Sequence, residues 1–96
     1  MPFLSFFRRK TVDTAAARRE RLLQTGRITE GTILDCDGAS DEDITQITYV
    51  YVINGAEYES SENLTEVQRK NPAAYTPGAK VSIRYDQRQP GNSIVV

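Results

Sequence analysis

The sequence predicts a mainly β domain of the α+β kind: a small five-stranded antiparallel barrel, partly open and SH3-like or OB-like, with an N-terminal helix and a short helix before the fourth strand. Three observations carry this. Thr48-Tyr49-Val50-Tyr51-Val52-Ile53 is a β-favouring run that ends in Asn54-Gly55, the dipeptide that best accepts the positive φ angles of a type I′ hairpin turn. Shorter alternating segments bounded by Gly and Pro lie on either side of it, as expected of several short strands. The chain has 96 residues, enough for one domain, which would hide roughly 60 to 65 % of its unfolded surface.

The elements follow in order. Residues 1–11 form a Phe-rich basic arm, residues 12–26 an amphipathic basic helix and residues 27–96 the β domain. The helix is expected over about Val12 to Gln24, because Ala15 to Leu23 are mostly strong helix formers. Thr11 or Asp13 would cap it, and Gly26 would stop it by adopting a left-handed backbone. Its apolar stripe is Val12, Ala15, Ala16, Leu22 and Leu23, which leaves Arg18 and Arg21 in water.

The period then changes to that of a strand. Thr32, Leu34 and Cys36 alternate with Ile33 and Asp35, giving a first strand from Arg27 to Cys36 with Gly31 as a bend or bulge. The acidic stretch Asp35 to Asp43 reads as a solvated turn. Strand two, Ile44 to Ile53, sends Ile47, Tyr49, Tyr51 and Ile53 to one face and Thr48, Val50 and Val52 to the other, so it is expected to be covered on both sides. The Asn54-Gly55 turn sets Tyr51 opposite Tyr58 on strand three, Ala56 to Ser60. Asn63 followed by Glu66 resembles a capping box opening a short helix to about Lys70. Pro77-Gly78 leads to strand four, Lys80 to Tyr85, and Pro90-Gly91-Asn92 leads to a last strand from Ser93 to Val96.

Charge divides the chain. The overall charge is −1, but residues 1–27 carry seven bases against Asp13 and Glu20, whereas the remainder holds five bases and eleven acids. A basic arm therefore precedes an acidic body, which makes the body a poor platform for nucleic acid. Cys36 is the sole cysteine and histidine is absent, which excludes an internal disulfide and the usual zinc ligand sets. Cys36 is expected to be a small core residue. Asp35, Asp37, Asp41 and Asp43 suggest calcium, but Ala39 and Ser40 occupy positions where an EF-hand requires a ligand and a glycine. Asn63-Leu64-Thr65 matches a glycosylation acceptor, yet nothing ahead of it reads as a secretory signal. No acid, base and nucleophile constellation and no Gly-rich phosphate loop is present, so a non-enzymatic protein without cofactor, metal or small-molecule substrate is expected.

The arm is where function is expected. Phe3, Phe6 and Phe7 are the chain's only phenylalanines; they stand with Leu4 immediately before Arg8, Arg9 and Lys10. At helical spacing the phenylalanines share a face, the pattern of an interfacial segment with a basic flank; the competing reading of the same residues is a hydrophobic tail that packs back on the barrel or is disordered. Burying four such side chains in part would contribute ~4 to 6 kcal/mol, and three bases near an anionic leaflet ~1 kcal/mol each. Association and ordering costs of several kcal/mol oppose this, leaving weak, reversible attachment. The candidate contact residues are Phe3, Leu4, Phe6, Phe7, Arg8, Arg9, Lys10, Arg18 and Arg21, and the candidate partners are an anionic membrane surface or a protein. The alternative is a nucleic-acid-binding module using the basic helix.

Gly31, Tyr49-Val50-Tyr51, Asn54-Gly55 before Tyr58, Pro77-Gly78, and Val81 through Asp86 leading to Pro90 and Ser93-Ile94 together resemble the bacterial family known as domain of unknown function 3592, over roughly residues 26–96. The resemblance implies a small β domain, in that family mostly beside transmembrane helices, and supplies no catalytic residues. This chain has no apolar run of the length a spanning helix needs, and Gln87 stands where the family commonly has proline. The expectation is thus a cytoplasmic protein, peripheral at the inner membrane, with no oligomeric state assigned.

Overall fold

The computed structural model describes residues 15–96. Helix α1 is Ala15–Thr25, followed by strands β1 (Arg27–Ser40), β2 (Asp43–Ile53) and β3 (Ala56–Asn63). A one-turn helix α2 (Glu66–Arg69) and a 3₁₀ turn (Pro72–Tyr75) lead to β4 (Lys80–Tyr85) and β5 (Ser93–Val95). The strands form one antiparallel sheet in the order β3-β2-β1-β4-β5, curled into a half-barrel. The expected fold class holds. The arm, including Phe3, Leu4, Phe6, Phe7, Arg8, Arg9 and Lys10, and the caps Thr11 and Asp13 lie outside the described residues.

The central hairpin forms as the sequence dictates. Asn54 and Gly55 have φ of 52° and 83°, and the turn pairs Ile53 with Ala56, Val52 with Glu57 and Tyr51 with Tyr58. With the turn fixing the register, every odd residue of β2 from Ile47 to Tyr51 points inward. Ile33, Ile44, Ile47, Tyr49, Tyr51, Leu64, Tyr75, Ile83 and Val95 form the core inside the curl. Tyr51 stacks on Tyr49, Tyr58 and Tyr85 with ring centroids 5.9, 5.6 and 6.5 Å away. Cys36 is half-buried against this cluster as a free thiol.

Several expectations need correction. The acidic stretch is not a long turn, because β1 runs on to Ser40 and the turn shrinks to Asp41-Glu42. Register shifts at Ile33/Asp35, Asp37/Gly38 and Gly38/Ser40 absorb the irregular sequence there. Bulges let a strand continue through residues that break strict alternation. Gly31 is not one of them: its pairing with Tyr51 is regular, and a Cβ there would come within 2.8 Å of Ile83. Strand two is not covered on both faces, since Val52 is 54 % exposed. β3 extends three residues beyond Ser60, and the cap of α2 is Thr65 rather than Asn63. The Thr65 hydroxyl accepts from the Gln68 amide while the Gln68 side chain accepts from the Thr65 amide, a hydroxyl-and-amide box that Thr65-Glu66-Val67-Gln68 fits better than an Asn63 start.

Helix α1 also departs from expectation. Gly26 does not adopt positive φ; its amide donates to the Leu22 carbonyl at 2.8 Å, and a Cβ on it would lie 2.5 Å from that oxygen. Close approach, rather than handedness, requires glycine there. Ala15, Ala16 and Leu23 are exposed, and the helix buries Leu22 alone. Its neighbours are β4 and β5. Ile94, which pairs with Arg84 on the face opposite Val95, is buried outside the main core, so α1 covers the outer side of the sheet's β5 end.

Candidate functional site

The two edges of a half-barrel expose backbone groups that must find partners. Along β5, Val95 turns its amide and carbonyl away from β4, because the ladder bond on that side belongs to Val96, whose amide donates to the Ser82 carbonyl at 3.0 Å. The outward groups of Val95 are met by side chains. The Glu62 carboxylate accepts from the Val95 amide at 2.6 Å, while the Gln68 amide and the Arg19 guanidinium donate to its carbonyl at 2.9 and 2.8 Å. Glu62 comes from the end of β3, Gln68 from α2 and Arg19 from α1. Three elements therefore converge on one residue and close the seam that the strands leave open.

A second layer supports it. Arg18 donates to the Asn92 side-chain oxygen at 2.9 Å and to the Ser93 carbonyl at 3.0 Å. The Ser93 hydroxyl exchanges a 2.7 Å bond with the Tyr49 hydroxyl, and Tyr51 donates to the Pro90 carbonyl. No buried side-chain nitrogen or oxygen among the described residues lacks a partner.

The electrostatics follow from burial. Glu62 is pushed above the ordinary carboxylate value, because removal from water disfavours the anion more than the Val95 amide and the Arg19 and Arg18 charges restore it. The Tyr49 hydroxyl is pushed up to about 12, first by burial and then by the Glu62 charge. Burial likewise raises Tyr51 and Tyr75. A groove of about 560 Å³ opens beside the seam, lined by Arg19, Thr65, Val67, Gln68, Asn71 and Tyr75 among others.

Of the sequence-predicted contact residues, Arg18 and Arg21 fall in the described region. Arg18 is half-buried and committed to Asn92 and Ser93, not left in water, because α1 lies with its arginines against the end of β5. Arg21 is exposed. The acidic residues weighed for calcium are dispersed: Asp35 and Asp37 accept from the amides of Cys36 and Gly38, and Asp43 pairs with Arg69 at 3.1 Å. Among the described residues no group of His, Cys, Asp and Glu is placed to hold a metal ion.

Sequence reasoning missed Arg19, Glu62, Gln68 and Ser93. One signal was present. Carried past Ser60, the alternation of β3 puts Tyr58, Ser60 and Glu62 on the same inward face, and an inward carboxylate needs a donor. No curated protein and no solved structure matches the chain. The family model described as Domain of unknown function (DUF3592) matches residues 24–96; that span takes in every strand, the Asn54-Gly55 hairpin and all of the seam except its two arginines, and the chain belongs to this family.

Proposed function

We propose that the chain is a non-enzymatic interaction module that attaches weakly to an anionic membrane surface through its N-terminal arm. One observation carries this reading: the chain's three phenylalanines stand with Leu4 directly before Arg8, Arg9 and Lys10, an apolar cluster with a basic flank, while the core of the described residues is assembled from Ile, Tyr, Leu and Val between Ile33 and Val95. The arm joins the body through α1, which Arg18, Arg19 and Leu22 hold to the sheet. Attachment of the arm would therefore carry the β domain with it. The proposal includes a peripheral position at the cytoplasmic side of an inner membrane. Nucleic-acid binding by the basic helix is less well supported, because Arg18 and Arg19 spend their guanidinium donors on Asn92, Ser93 and Val95.

Co-sedimentation of the full chain with anionic and neutral vesicles tests this. Binding to anionic vesicles is expected at low salt and should weaken as salt screens the bases. Replacing Phe6 and Phe7 by Ser removes ~2 to 4 kcal/mol of apolar burial, enough to abolish marginal attachment while leaving the fold intact. Indifference to anionic vesicles at low salt, or a salt-sensitive shift of DNA or RNA instead, would overturn the reading.

A further inference from the structure

We propose that the outer edge of β3 is a docking strand for an extended basic segment of another protein. The two edges of the sheet are not alike. At β5 the outward groups of Val95 are taken by Glu62, Gln68 and Arg19. At β3, the two-residue turn makes Ile53 and Ala56 a hydrogen-bonded pair, and antiparallel alternation then gives the same status to Tyr51–Tyr58, Tyr49–Ser60 and Ile47–Glu62. The amides and carbonyls of Glu57, Glu59 and Ser61 consequently face away from β2. The bond from the Leu64 amide to the Thr45 carbonyl continues the same alternation. Among the described residues nothing meets those outward groups.

The strand has the form of a template. Its pairing with β2 runs over eight residues without a register shift, and it contains neither proline nor lysine, so two common devices against edge pairing are missing. What guards it is charge. Glu57 and Glu59 are exposed on the outer face beside Val52 and Val50. Antiparallel pairing with a second copy centred on Glu59 would set like carboxylates against each other, which is destabilising. The same two carboxylates, on a body with an excess of acids, attract a strand that presents Lys or Arg at alternate positions. Between those positions the partner's intervening side chain would meet the half-buried ring of Tyr58 on the inner face. This rests on a different surface from the arm and does not depend on membrane binding.

The test uses the full chain and two peptides of about seven residues, one alternating Lys with Thr and the other Glu with Thr. The Lys peptide should bind and slow exchange of the Glu57, Glu59 and Ser61 amides, with no binding of the Glu peptide. Reversing Glu57 and Glu59 to Lys should weaken Lys-peptide binding about tenfold. Glu59→Pro removes an amide that β2 does not use, so the fold should persist while binding is lost. The proposal falls if the Lys peptide does not bind, if Glu59→Pro stays folded and binds as before, or if protection appears elsewhere. It falls equally if the chain protects the same amides by self-association, since the occupant is then a second copy.

Discussion

Single positions decide whether the hairpin and the seam form. Gly55 has φ of 83° with open space around it, so a side chain is opposed by backbone conformation alone. Gly55→Val should lower stability by more than ~1 kcal/mol, measured by urea unfolding. Glu62 gives a pH signature. Its folded-state value is raised above 4.5 by burial, so the folded protein holds a proton that the unfolded chain has released. The associated stabilisation is complete below the unfolded value and is lost as pH rises through the folded one. Glu62→Gln keeps an oxygen for the Val95 amide without the buried charge. The variant should therefore gain on the wild type as pH rises from the unfolded carboxylate value through the raised folded one, where the wild type loses that stabilisation; a difference independent of pH would contradict the burial of that charge. Gly55 was legible because its signal is local. Glu62 was not, because its partner stands 33 positions away.

Among the elements, the strands were readable and α1 only partly so. Strand alternation reports directly which face is inside, and β2 and β4 appear where it places them. In α1 the long arginines reverse the simple rule, since an aliphatic stem can lie on the sheet while the guanidinium reaches backbone carbonyls. Among the described residues, Arg18, Arg19 and Leu22 meet the sheet; of the expected stripe Leu22 is buried, Ala15, Ala16 and Leu23 are exposed, and Val12 lies outside the described residues. Leu22→Ala should cost about 2 to 3 kcal/mol of helix docking. Hydrogen exchange should show α1 amides opening more readily while those of β1 and β2 keep their protection. Equal loss of protection throughout would mean that α1 and the sheet unfold as one unit.

For the whole molecule, the class and order of elements were evident in the sequence, whereas the closure was not: periodicity describes neighbours along a chain, and the seam joins parts of it that are far apart. That separation carries a consequence for how the domain is made. The β1–β2–β3 meander forms from contacts between adjacent segments, but Arg19 meets Val95 across 76 positions. Contacts that close so long a loop gain little until most of the chain is already confined. The seam should therefore be a late event in folding, absent from the rate-limiting barrier. Arg19→Ala, which leaves Gln68 on the Val95 carbonyl, should cost about 1 kcal/mol and should show it as faster unfolding with refolding nearly unchanged. Stopped-flow measurement of both rates would reveal the opposite pattern if seam closure were the nucleus. A half-barrel fastened last by three side chains is one whose lifetime, more than its speed of assembly, is set at Val95.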